Sequence, residues 1–239
     1  MKEIRVLPKF VNTRNVRNFQ AMLDALMLSA GEGRFGVVVG PAGRGKTRTT
    51  QWYAAQHGCV FIRCLSIWRH SELGFLQALC RELGIANPPH RKDPAFIAVM
   101  DALGKQDGKP VFIEEIEKLP RLHLETVRDL ADLSTAPFVL IGEEDLKEHL
   151  KQVSRMWNRT FQMLEFDPLS VADVIAFAGD AASLELPQEV AETLHLAAKG
   201  CYRVMKRDMI SLVNIMNAKR TDKPTVEMAK VAIKQSLRG

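Results

Sequence analysis

Eight consecutive residues, Gly40-Pro41-Ala42-Gly43-Arg44-Gly45-Lys46-Thr47, follow the pattern G-x-x-x-x-G-K-[ST], the spelling of a loop that cradles phosphate groups. Glycines at 40, 43 and 45 let the backbone turn tightly and aim its N–H groups inward. The start of a following helix adds its partial positive charge to the same hollow. Lys46 has the length and charge to reach the β and γ phosphates, and Thr47 offers a hydroxyl to Mg²⁺. Arg48 closes the stretch expected to surround the nucleotide. The ligand such a loop predicts is a triphosphate held with magnesium, ATP above all.

A phosphate loop needs acids for the metal and for a polarised water, and the run Lys109-Pro110-Val111-Phe112-Ile113-Glu114-Glu115 supplies them at the end of an apolar strand. Two adjacent carboxylates at a strand tip repel unless a cation or a water network takes them up. Glu114 is therefore expected in the Mg²⁺ shell and Glu115 as the general base that orients the attacking water. A solvated strand end is the alternative, and the loop at 40–47 argues against it.

Short apolar runs alternate along the chain with longer segments of helical period, the pattern of a parallel sheet with helices on both faces. The expected strands are Phe35–Val39, Val60–Arg63, Pro110–Glu114, Phe138–Ile141 and Met163–Phe166. Helices are expected at about 15–31, 45–57, 71–84, 94–105, 121–133 and 143–151. From Pro168 onward only helices follow, at about 170–182, 187–198, 201–219 and 224–237. Pro187 and Pro224 stand near helix starts, and Gly200 near a helix end. The change of texture divides the chain into an α/β domain over 1–167, including an N-terminal helix, and a small all-helical domain over 168–239.

The chain has 239 residues, 46% hydrophobic and 26% charged, which excludes a disordered tail, a fibre and a disulfide mini-protein. Its apolar runs fall well short of the roughly 18 residues that span a bilayer. The N-terminus lacks a secretory h-region, so the cytoplasm is the expected compartment, with no membrane partner. Cys59, Cys64, Cys80 and Cys201 form no CxxC pair and read as reduced thiols. The net charge of +5 is unevenly placed: residues 199–239 hold ten Lys/Arg against three Asp/Glu, while the rest is slightly acidic. A basic end on a near-neutral body suggests a polyanionic partner, or simply a solvated basic face.

The run Glu114-Glu115-Ile116-Glu117-Lys118-Leu119 resembles the D-E-A-D-x-L form of the Walker B motif in AAA+ ATPases. The βα alternation followed by an all-helical lid is similar to that superfamily over essentially the whole chain. The family's metal-side residue is usually Asp, whereas here it is Glu114, one methylene longer, which bears on metal geometry more than on ATP binding. The resemblance implies three further polar positions. Glu143, after the fourth strand, falls at the first sensor, where the family more often has Asn, Thr or Gln; the alternative is a helix N-terminal acid favoured by the macrodipole. Arg159, with Arg155 one helical turn earlier, falls at the arginine finger that reaches a neighbour's ATP, so the active form would be an oligomer. Arg203, in Gly200-Cys201-Tyr202-Arg203, falls at the second sensor of the lid.

Phe10 to Phe19 and Arg48 to Ala55 look like the transposition ATPases of Mu-like phages, the B protein group that captures target DNA. The resemblance implies an ATP-dependent, non-sequence-specific DNA-binding ATPase that polymerises on duplex DNA and delivers it to a transposase. Hydrolysis, which the same likeness implies to be slow and stimulated by DNA and oligomerisation, would release the DNA. Some members carry an added N-terminal DNA-binding domain, for which the short stretch before the first helix leaves no room, so contact is expected from body and lid. Candidate contacts are Arg63, Arg69, Lys118, Arg121, Lys206 and Arg207, each adding to a salt-dependent grip on phosphates. Trp68 could pack at the same edge or be buried beside Leu65 and Ile67. The other readings are a nucleotide-gated scaffold with little turnover, and an ATPase of the secretion or assembly type.

Overall fold

The computed structural model describes residues 3–29, 35–134 and 136–236. By internal contacts these fall into two compact units, one containing 18–29, 35–41, 46–134 and 136–165, the other 3–17, 42–45 and 166–236.

The first unit holds β1 (Phe35–Val39), β2 (Val60–Arg63), β3 (Val111–Glu114), β4 (Phe138–Ile141) and β5 (Thr160–Glu165) in one parallel sheet of order β2-β3-β4-β1-β5. The helices of this part of the chain are α1 (Arg14–Leu28), α2 (Lys46–His57), α3 (Glu72–Glu82), α4 (Lys92–Leu103), α5 (Arg121–Ser134), α6 (Asp145–Lys151) and α7 (Ser154–Trp157). Every residue of β1, β3 and β4 is buried, as parallel strands covered on both faces must be. Alternation sorts their side chains. Phe35, Val37, Ile113, Phe138 and Leu140 join one core with Phe75 and Leu79 of α3, Val99 of α4 and Leu130 of α5. On the other face, Phe112 meets Phe19 of α1 at 5.9 Å and Tyr53 of α2 at 5.8 Å between ring centroids. Gly36 leaves the room there that Leu26 and Met22 fill: a Cβ on it would lie 3.1 Å from Leu26.

The second unit is built on α8 (Val171–Ala182), α9 (Gln188–Ala198), α10 (Tyr202–Lys219) and α11 (Val226–Ser236), packed through Val174, Phe177, Leu194, Met205, Met209, Leu212 and Ala229. A capping box of Ser170 and Asp173 starts α8. The N-terminal arm belongs to this unit and not to the sheet. Asn217 brackets the Ile4 backbone, accepting its N–H at 3.0 Å and donating to its carbonyl at 2.8 Å, and Leu7 N–H donates to Ala181 O at 2.7 Å. Asn15 exchanges two hydrogen bonds with the backbone of Asp167.

β1, β2 and β4 have the expected bounds. β3 starts one residue later than expected, after Pro110, which has no N–H for the ladder. β5 spans Thr160–Glu165 instead of 163–166: it is a half-exposed edge strand whose Thr160 and Gln162 break the apolar signature. The short α7 and the 3₁₀ turns at Ser66–His70 and Ile116–Lys118 are too brief to show a period. The expected helix ends at 30–31 and 237 lie outside the described residues.

Candidate nucleotide site

β1 runs straight into the glycine loop, where Gly40, Gly43 and Gly45 take φ of 142°, 81° and 99°. A Cβ on Gly45 would touch nothing within 4 Å, so glycine is needed there for its backbone angle and not for space. Lys46 opens α2 with its side chain almost enclosed. Its ammonium donates to Gly40 O and, at 3.0 Å, to Pro41 O. Burial pulls the ammonium below its ordinary 10.5, while the carboxylates of Glu143, Glu117, Glu114 and Glu144 oppose that pull. Lys46 is therefore a desolvated cation bonded, among the described residues, to neutral carbonyls alone. Ala42 and Arg48 are exposed; Pro41, Gly43, Arg44, Gly45 and Thr47 are half-buried.

Glu114 ends β3 and is 3% exposed. One oxygen accepts the Thr47 hydroxyl; the other accepts Arg63 Nε at 2.7 Å. Arg63 is the ladder partner of Glu114 at the end of β2, and that pairing holds its guanidinium above the usual arginine value. Magnesium takes oxygen ligands, with one or two from the protein and the rest from phosphate and water. A hydroxyl and a buried carboxylate that already meet in one place fit that donor set. Among the described residues, no group of three or more His, Cys, Asp or Glu side chains could hold a metal ion by itself.

Glu115 adopts φ 56°, ψ 38°, the left-handed region that a non-glycine residue enters at a cost of roughly 1–3 kcal/mol. Its N–H donates to Ile141 O at 2.7 Å, so the ladder between β3 and β4 holds the turn, and its carboxylate pairs with Lys118. Lys118 is therefore engaged by the candidate base and is not a free basic contact.

Glu143 is exposed ahead of α6, and its backbone is what engages the site: its N–H donates to Glu117 Oε1 at 3.2 Å. Glu117 Oε2 is buried without a partner, and a Cβ on Gly142 would collide with it. Burial raises the Glu117 carboxyl above 4.5, opposed by the N–H groups it accepts. Glu117 is the polar group of this site that sequence reasoning missed. Its apolar neighbours Ile116 and Leu119, both buried, are the signal that its side chain turns inward.

Arg159 donates to Asp132 Oδ1 at 2.8 Å and to Arg155 O at 2.9 Å; Arg155 itself is exposed on α7. Within the unit of 3–17, 42–45 and 166–236, Tyr202 N–H donates to Gly43 O at 2.8 Å. A Cβ on Gly43 would collide with Cys201 Sγ and lie 3.9 Å from Cβ of Arg203, which is exposed in the first turn of α10. Arg44 Nη1 is buried without an acceptor, against Gly200.

Arg69, in the 3₁₀ turn after β2, and Arg121, at the start of α5, are exposed. Lys206 is half-buried, and Arg207 lies 3.4 Å from the buried carboxylate of Asp208. Trp68 is half-buried, edge-to-face on Phe75 at 6.1 Å.

The sequence profile of the family described as AAA domain matches residues 30–150, just over half the chain. The Mu-like prophage FluMu DNA transposition protein B of Haemophilus influenzae is 24% identical over 205 residues, 80% of this chain and 70% of that protein. The ATP-dependent target DNA activator B of Escherichia phage Mu is 26% identical over 196 residues, 77% of this chain. The chain spans 62% of that protein's length. Among solved structures, the Thermotoga maritima RuvB Holliday junction branch migration motor superposes with a TM-score of 0.63 at 17% identity, covering 98% of this chain and 72% of that one. Cdc6p from Pyrobaculum aerophilum gives 0.71 at 16% identity, covering 97% and 70%. At such identities the two structures establish the fold. The chain belongs to the AAA domain family and is an ATP hydrolase of the P-loop class.

Proposed function

We propose that the protein binds duplex DNA without sequence preference in its ATP-bound form, assembles along it as a homo-oligomer or helical filament, presents it to a transposase, and releases it on hydrolysis. The observation that carries this reading is the meeting of Thr47 with Glu114, beside the enclosed Lys46, in a chain whose curated relatives are named for DNA transposition and target DNA activation. We place it in the cytoplasm, that of a bacterial host if the gene is a phage's; among the described residues no helix is long and apolar enough to cross a membrane.

In this reading the amides of 40–48 and Lys46 hold the phosphates, and Thr47 and Glu114 hold Mg²⁺, which when bound neutralises charge on the phosphate oxygens. Glu115 accepts the proton of the attacking water, which requires it to leave Lys118. Glu143 and Glu117 order the polar groups beside the γ-phosphate. Arg159, with Arg155 beside it, serves a neighbouring subunit's site, and Arg203 reports from the lid, residues 168–239. Exposed Arg69 and Arg121, together with Lys206, Arg207 and the rest of the basic end, meet DNA phosphates. Arg63 and Lys118 contribute only where their carboxylate partners release them.

A second reading, a nucleotide-gated scaffold with little turnover, draws on the Glu115–Lys118 pair and on the longer metal-side acid. Phosphate release measured with and without DNA separates the two. Turnover stimulated by DNA supports the release cycle, and ATP binding without phosphate release in either condition supports the scaffold.

A further inference from the structure

Glu114 carries one more rotatable bond than an aspartate would, and a free carboxylate on that longer arm would spread over several rotamers. In this protein both of its oxygens are occupied. Oε1 accepts the Thr47 hydroxyl, and Oε2 accepts Arg63 Nε at 2.7 Å. Arg63 is the ladder partner of Glu114 on the neighbouring strand, so the two side chains leave the sheet from adjacent positions on the same face. Cys64 N–H, donating to Glu114 O at 2.8 Å, extends the ladder one step and fixes the backbone under the pair. The Glu114 side chain is 4% exposed and that of Arg63 44%, so the acid is buried while the guanidinium braces it from the rim. A planar guanidinium suits this task because it holds a carboxylate in one orientation.

We infer that Arg63 is a positioning residue for magnesium: by holding Oε2 it keeps Oε1 on Thr47 and so offsets the extra methylene of Glu114. Arg63 thus belongs to the nucleotide site before it belongs to any DNA-facing surface. The inference rests on the reading in which Thr47 and Glu114 hold the ion with bound nucleotide. It has a specific consequence: the need for Arg63 should depend on the length of the acid at 114.

The test is calorimetric binding of ATPγS to the full chain, with excess Mg²⁺ and with EDTA, the readout being the ratio of the two affinities. In the unaltered protein magnesium is expected to strengthen binding. R63Q is expected to reduce that magnesium advantage by about tenfold, equivalent to about 1.4 kcal/mol, and R63K by less, because an ammonium still donates to Oε2. In the E114D background, where the shorter acid needs no brace, R63Q is expected to change the advantage less than about twofold. Thermal unfolding checks that each variant is folded; should R63Q fail that check, R63K with and without E114D carries the same comparison. An equal loss in both backgrounds, or no loss in either, overturns the inference. An unaltered protein whose nucleotide affinity ignores magnesium would instead overturn the reading of Thr47 and Glu114 on which it stands.

Discussion

Arg159 donates its Nε to Asp132 at 2.8 Å, so the arginine proposed to act on a neighbouring subunit's ATP is held within its own subunit by an acid on α5. Both side chains are about one-third exposed, at 38% and 32%, which marks the pair as solvent-screened and weak enough to exchange. The pair is partly exposed and not buried. R159A is expected to lower DNA-stimulated turnover about 10²-fold or more while leaving the ATP affinity of dilute protein nearly unchanged. D132A, which frees the arginine, is expected to reduce by about two- to threefold the protein concentration at which turnover appears, a change of a few tenths of a kcal/mol typical of a surface pair. Turnover against protein concentration, for both variants, reads the effect.

Glu115 stands in a strained left-handed turn, bonded to Lys118. E115Q keeps the shape and removes the proposed base. Phosphate release should fall about 10²-fold or more, with ATP affinity retained and DNA complexes persisting longer in ATP. K118A removes the competing cation and is expected to leave turnover unchanged or raise it. A large loss in K118A would mean that the lysine, not the glutamate, is the working group. Stopped-flow phosphate release and DNA dissociation rates measure both.

Gly200 has φ 73°, and a side chain there would meet Arg44 and Pro168. G200A therefore combines backbone strain with a clash, at a cost of about 1–3 kcal/mol. For a chain of this size that lowers Tm by about 2–4 °C for each kcal/mol. Because the displaced group is a side chain of the phosphate loop, ATP affinity should weaken in the same variant. Calorimetric unfolding and ATP titration test the two effects together.

Acid stability should be governed by a buried cluster away from the nucleotide. Burial raises the Glu72 carboxyl, but hydrogen bonds from Lys92 and Thr126 and the charges of Lys92 and His123 outweigh it and leave it below 4.5. Burial lowers His123 below 6.5, against the pull of Glu72. In both cases the unfolded chain binds the proton more readily, so stability is present above the unfolded values and lost on acidification. His123 contributes as pH falls from 6.5 through its folded value, and Glu72 as pH falls from 4.5 through its own. E72Q is expected to flatten the second limb and H123Q the first, in denaturant midpoints measured against pH.

The sheet was largely legible because β1 and β4 are apolar runs buried on both faces, the signature of interior parallel strands, and the edge strand β2 still carries three apolar residues before Arg63. The phosphate loop and the acid tip of β3 were legible because the chemistry demands their spelling. The pairings among them were not. Arg63 with Glu114 and Arg159 with Asp132 join positions 51 and 27 residues apart, which only strand order and helix packing bring together. Nor does the extended arm at 4–11, without period or motif, reveal that its partners are Asn217 and Ala181. Three of the expected DNA contacts, Arg63, Lys118 and Arg207, face carboxylates, a competition for their charge that composition alone does not show.

ATP in the loop around Lys46 is proposed to control the grip on DNA, and fluorescence anisotropy of a labelled random-sequence duplex measures that control. With Mg²⁺ and ATP the protein should bind tightly and lose affinity steeply as salt rises. Without nucleotide, or with K46A in ATP, binding should be at least about tenfold weaker. Equal binding with and without ATP, undiminished in K46A, would mean that nucleotide at Lys46 does not govern DNA binding.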